Sequence, residues 1–155
     1  MYEKSLETVQ KQLSIFVKPR MPDETREKLL PYILSGCISA FDGLGKELRR
    51  RYPTSFPEKP KNLFQNLIAL DESMDGYISK HHSDYSFLNK MFQVRHIYEH
   101  NMCVVDNDFI IKISGSIHML GKKYVLNEAE LTKFIDFMEE LGGKVKDYIK
   151  RYNLD

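Results

Sequence analysis

Nothing in this chain of 155 residues resembles a membrane span, because its longest apolar runs fall far short of the roughly 18 residues a bilayer crossing needs. The N-terminal stretch Met1 to Glu7 is polar and amphipathic, without the apolar segment of a secretory signal. Cysteine is scarce: Cys37 and Cys103 are the only two, too few and too far apart to form a disulfide or metal framework. A reducing, cytoplasmic setting is therefore expected, with no membrane partner. An excess of one charge is missing as well. With 23 basic against 22 acidic side chains, the chain lacks the basic balance of a high-affinity duplex-DNA scaffold. RNA is not excluded by this, since charge can be local, and Lys46, Arg49, Arg50, Arg51 and Lys59 to Lys61 form one basic stretch. Repeats and low-complexity tracts are absent, and no segment alternates convincingly at period two.

What remains is helical periodicity. An apolar share of 42% with 29% charged residues is ordinary globular composition, and the length suits one domain over residues 1–155. Leu6, Val9, Leu13 and Phe16 form a first helical stripe, which Pro19 and Pro22 should break. Asp23 reads as the N-cap of a long second helix running to Arg51, with Pro31 expected to kink it near its start. Pro53 to Pro60 reads as a loop and Asn62 to Ser73 as a short helix. Asp75-Gly76 and Ser79 to Ser83 read as turns. From Asp84 a stripe through Phe87, Leu88, Met91, Phe92, Val94 and Tyr98 marks another helix. Val104 to Ile111 reads as a short irregular or helical piece, and Ser114 to Leu126 as a loop or small hairpin. Asn127 with Glu130 resembles a capping box that opens the last helix. These spacings predict an all-α bundle of four to five helices, with a small β-turn element near residues 122–126.

The chemically distinctive stretch is Arg95-His96-Ile97-Tyr98-Glu99-His100-Asn101, at the end of the helix that starts near Asp84. An arginine can hold a phosphate, and an imidazole can move protons near neutral pH. On an ideal helix Arg95 and His100 lie about 140° apart, so they converge only if the helix ends near Glu99 or a second subunit closes the site. His96 and His100, four apart, share a face. A plainer reading pairs Arg95 with Glu99 and leaves the histidines at a solvated helix end. Another makes His96 and His100 zinc ligands, but Ile97 stands where a zincin has its glutamate, and His81, His82 or His118 would have to complete the set. No metal or cofactor is expected. Cys103 has no spacing that ties it to a base. Asp42, unusual within Ala40 to Leu44, is either a surface-facing carboxylate or a group that orients a site on the neighbouring helix. Arg49, Arg50 and Arg51 are either a solvated helix terminus or a contact for an RNA backbone.

Arg95-His96-Ile97-Tyr98-Glu99-His100 resembles the signature of HEPN domains, an arginine and a histidine with a few residues between them and a polar residue after the arginine. Here four residues intervene and His96 is the polar one. The apolar helix before the motif, the long helix from Asp23 and the final helix from Glu128 extend the resemblance over most of the chain, in the manner of stand-alone bacterial defence proteins. The resemblance implies a HEPN-type up-and-down bundle that dimerises with its motifs facing each other. It also implies a metal-independent endoribonuclease, acting in phage defence (abortive infection) or stress response, with RNA as substrate. Carried over, His100 would be the general acid or base and Arg95 the stabiliser of the phosphorane-like transition state. His96, Asn101, Glu99 and Asp42 would be supporting groups. Toxins of this family that pair with nucleotidyltransferase antitoxins often carry tyrosine two residues after the histidine, where this chain has Met102. Other members have lost catalysis and serve as RNA-binding or protein-docking modules, and a regulatory protein partner fits either case.

Overall fold

The structure, a computed structural model, describes residues 1–16 and 21–152, with Ile15 and Phe16 given by their backbone alone. Pro19, one of the two expected helix breakers, lies outside the described residues, as does the side chain of Phe16. The fold is all-α. Four long helices carry it: α1 (Tyr2–Phe16), α2 (Asp23–Arg51), α5 (Tyr85–His100) and α7 (Glu128–Tyr152). Three short ones, α3 (Leu67–Ser73), α4 (Tyr77–His81) and α6 (Asn107–Ile113), join them, with 3-10 turns at Leu63–Gln65 and Ile117–Met119. No described helix is long and apolar enough to cross a membrane.

The apolar stripes read from the sequence are the faces that meet. Helix α2 packs on α1, α5 and α7, and α7 also packs on α1 and α5. Leu6, Val9 and Leu13 of α1, Ile33, Leu34, Cys37, Ile38 and Phe41 of α2, Leu88, Met91 and Val94 of α5, and Leu131, Phe134, Met138, Leu141 and Val145 of α7 are all buried in one core. Burying a side chain of this size contributes about 1.5–3 kcal/mol, enough collectively to override the glycines and Pro31 within α2. Two of the contacts need a missing side chain. A Cβ placed on Gly45 would collide with the Phe64 ring, and one on Gly142 would collide with the Tyr2 ring. Small residues there let α2 lie against the Leu63–Gln65 turn and α7 lie against α1.

Several starts and stops follow side-chain capping. Asp84 Oδ1 accepts from Phe87 N at 3.1 Å, Asp106 Oδ1 from Phe109 N at 2.8 Å, and Asn66 Oδ1 from Ala69 N at 3.1 Å. Asn127 and Glu130 form the expected capping box, with Glu130 N donating to Asn127 Oδ1 at 2.8 Å. Three expectations are corrected. Pro22 rather than Asp23 is the cap of α2, and Asp23 is its first helical residue, where its charge faces the positive end of the dipole. The stretch Ser79 to Ser83 is not all turn, since α4 runs to His81. Gly76 (φ 74°) restarts the chain there and Asp71 Oδ1 accepts from Ser79 N at 2.9 Å, a device too short to leave a periodic stripe. Short helices also raise the total among the described residues to seven, above the four to five expected. The β element near 122–126 is a single antiparallel bridge between Val104 and Lys123, flanked by Tyr124 N donating to Cys103 O at 2.8 Å.

Candidate functional site

Helix α5 ends at His100, and the chain turns away sharply. Cys103 N donates back to Ile97 O at 3.0 Å, while Met102 (φ 53°) and Cys103 (φ 68°) are both left-handed, a conformation that costs non-glycine residues energy. The Asn101 side chain holds this turn, its Nδ2 donating to Val104 O at 2.6 Å. The last turn of α5 is thereby fixed, with its side chains facing a cleft of about 160 Å³. Arg95, His96, Glu99 and His100 line it from α5, along with Phe92 and Gln93; Asn62, Gln65 and Asn66 line it from the turn before α3, and Lys112 from α6.

Arg95 and His100 do reach a common point within one chain. Glu99 lies between them, with Oε1 at 2.9 Å from Arg95 Nε and Oε2 at 3.8 Å from His100 Nε2. The Arg95–Glu99 pair anticipated from the spacing is thus present and also forms part of the cleft. Its geometry is unusual. Although the two atoms are close, the Nε–H is not aimed at the carboxylate, and this sealed nitrogen lacks a directed hydrogen bond. Arg95 Nη2 donates to Gln65 Oε1 at 3.0 Å, and Ser35 Oγ donates to Glu99 Oε1 at 3.3 Å. The Arg95 side chain is only 14% exposed while that of His100 is 62% exposed, so a largely sheltered cation and a reachable imidazole share the cleft.

The His96 and His100 rings lie 4.7 Å apart at the mouth of the cleft, on the shared face expected for i and i+4. Partial burial, reinforced by His100 and Lys112, lowers the His96 pKa, against the weaker opposing pull of Asp108 and Asp106. His96 is therefore neutral at pH 7, able to accept a proton. Among the described residues no three His, Cys, Asp or Glu side chains gather as metal ligands, so His81, His82 and His118 do not complete a set with His96 and His100. Desolvation raises the Cys103 thiol, against its use as a thiolate nucleophile at neutral pH.

No protein-family model, curated protein or solved structure matches this chain. What the site can do therefore follows from its own geometry.

The remaining candidates stand apart from the cleft. Asp42 is buried on α2, pairs with Lys46 Nζ at 3.2 Å and does not line the cleft. Arg49 is committed to the proline loop, where its guanidinium donates to the carbonyls of Pro57, Pro60 and Lys61. Arg50 pairs with Glu47 at 2.7 Å, and Arg51 is exposed. A larger depression of about 550 Å³ surrounds Tyr32 on α2, but it contains no residue of the motif. The partners that sequence reasoning missed are Asn62, Gln65, Asn66, Gln93, Lys112 and Ser35. A concentration of carboxamides directly after a proline-rich loop was the available signal for the first three.

Proposed function

We propose that this chain is a metal-independent endoribonuclease of the HEPN type, acting on single-stranded RNA as a dimer in a defence or stress response. The observation that carries the reading is the convergence of anchored Arg95, bridging Glu99 and accessible His100 on one open cleft. In the proposed reaction the 2′-hydroxyl oxygen of the RNA attacks the adjacent phosphorus, and the bond from phosphorus to the 5′-oxygen breaks. One imidazole takes the 2′ proton, and a protonated group supplies a proton to the leaving 5′-oxygen. The products are a 2′,3′-cyclic phosphate and a 5′-hydroxyl. His100 is assigned to proton transfer because its side chain is 62% exposed beside Glu99 and the anchored Arg95. Neutral His96, beside it, is suited to the accepting role. Arg95 is assigned to the charge that grows on the phosphorane oxygens, in a pocket where Gln65 already orients it. Phosphate entering the site would displace Glu99 from the guanidinium, since both anions seek the same cation.

Incubating RNA with the protein in EDTA, with product ends mapped, tests the reading. Cyclic-phosphate ends are expected from the wild type, and both Arg95→Ala and His100→Ala should lower the rate at least about 100-fold. Loss of activity in chelator would overturn the metal-independent chemistry. The Arg95–Glu99 pair also favours a second reading, a catalytically silent module whose arginine is neutralised and which docks protein or RNA. A folded protein that cleaves no RNA would favour that second reading.

A further inference from the structure

Three carboxamides of the cleft, those of Gln65, Asn66 and Gln93, are not free to turn, and their partners fix which end each one presents. Arg95 can only donate, so Gln65 must give it the oxygen, and Oε1 does accept from Nη2. Ala69 N–H can only donate, so Asn66 must give it Oδ1 as the cap of α3. The Lys112 carbonyl can only accept, so Asn89 must offer it Nδ2, at 2.8 Å. Asn89 then has Oδ1 left for Gln93, whose Nε2 donates to it at 3.2 Å. Gln93 is 8% exposed and Asn89 is 7% exposed, so this relay is a buried polar chain that the proton-transfer chemistry does not use. Among the amides that line the cleft, the groups left uncommitted are one NH₂ of Gln65, one NH₂ of Asn66 and one C=O of Gln93, with Asn62 as a fourth amide able to present either end.

From this set we infer that the cleft beside Arg95 is a nucleobase subsite that selects a pyrimidine. The inference rests on the ribonuclease reading above and deepens it. Two donors and one acceptor complement an edge with two acceptors and one donor. The Watson–Crick edge of uracil (two carbonyls about one N–H) and that of cytosine (a carbonyl, a ring nitrogen and an amine) both have this composition. The guanine edge has the opposite one, with a single acceptor and two donors, and the adenine edge has one of each. At about 160 Å³ the cleft has several times the room of one water, which suits a single-ring base. A base seated there lies against Gln65, whose other end holds the arginine assigned to the phosphate.

The test separates binding from cleavage. The 3′-monophosphates of uridine, cytidine, adenosine and guanosine, together with ribose 5-phosphate, are titrated into the protein while the side-chain NH₂ signals of Gln65 and Asn66 are followed by NMR. The expected result is that both pyrimidine nucleotides bind at least about threefold more tightly than the purine ones and ribose 5-phosphate, and shift both signals. Asn66→Asp keeps the cap to Ala69 N but replaces the cleft-facing donor with an acceptor. It is expected to erase the pyrimidine preference in a protein that still folds, and Gln65→Glu provides the same exchange beside Arg95. Equal binding of all five compounds would overturn the base subsite while leaving the Arg95 and His100 reading intact. The subsite is equally overturned if none binds yet RNA is still cleaved, or if Asn66→Asp leaves the preference unchanged. Failure of both binding and cleavage would overturn the subsite and the ribonuclease reading together.

Discussion

The two ends of α5 both carry histidine chemistry, and they treat it in opposite ways. Just before the helix, His82 has a side chain with 0% exposure and both nitrogens occupied. Nδ1 accepts from Asp84 N at 3.1 Å, so the proton sits on Nε2, which faces Phe137 O at 3.0 Å and Glu140 Oε2 at 3.2 Å. Glu140 in turn accepts from Ser83 N. At the far end, the His96 and His100 rings lie 4.7 Å apart, His100 Nε2 is 3.8 Å from Glu99, and both histidines line the cleft. The same side chain is thus a buried clamp between α5 and α7 at one end and an available proton carrier at the other. What distinguishes them is whether every polar atom is already used.

Substitution can break this contrast or sharpen it. The largest effect is expected at the clamp. His82→Ala leaves a cavity, strands the Asp84 N–H and removes the Glu140 contact, and should lower unfolding free energy by about 2–4 kcal/mol in urea titrations. His100→Ala should change stability by less than about 0.5 kcal/mol while abolishing RNA cleavage. Equal stability losses at the two histidines would erase the distinction. Next comes Asp84→Ala, which removes the α5 cap and should cost about 1 kcal/mol by the same titration. The Phe87 N–H bond holds the Asp84 carboxyl below its ordinary range. Its folded pKa lies under the unfolded one, so its stabilisation is present above the ordinary aspartate pKa and is lost as pH falls through the lowered value. The acid limb of wild-type stability should accordingly be less steep in Asp84→Ala. The smallest effect is electrostatic: His96 should titrate below the usual imidazole value in NMR, and its midpoint should rise in His100→Ala, which removes one of the charges that oppose it. A midpoint that falls in that variant would contradict the assigned cause.

Much of this arrangement was readable from spacing. The stripes of α1, α2, α5 and α7 sit where three- and four-residue apolar repeats placed them, because burial of those faces outweighs local propensity. The Arg95–Glu99 pair and the shared face of His96 and His100 follow from helical geometry alone. What spacing could not reveal is contact across elements. That Gln65 holds Arg95 depends on a turn 30 residues earlier, and Asn89 and Gln93 are inward amides on a helix whose other buried residues are apolar. His82 read as part of a turn because its partners on α7 are 55 or more residues away. Rotation about one helix separated Arg95 from His100, but side-chain length brings both to Glu99.

Gly45 has no side chain and does not line the cleft, yet it sets where one wall of the cleft stands. Its bare backbone admits the Phe64 ring, and the next residue along the chain is Gln65, the partner of Arg95. Any larger residue at position 45 would push that ring, and with it the amide that aims the guanidinium. The cleft can therefore be retuned from the core, through a position outside both the cleft and the motif, so that its shape depends on how the elements are spaced as much as on the residues that face it.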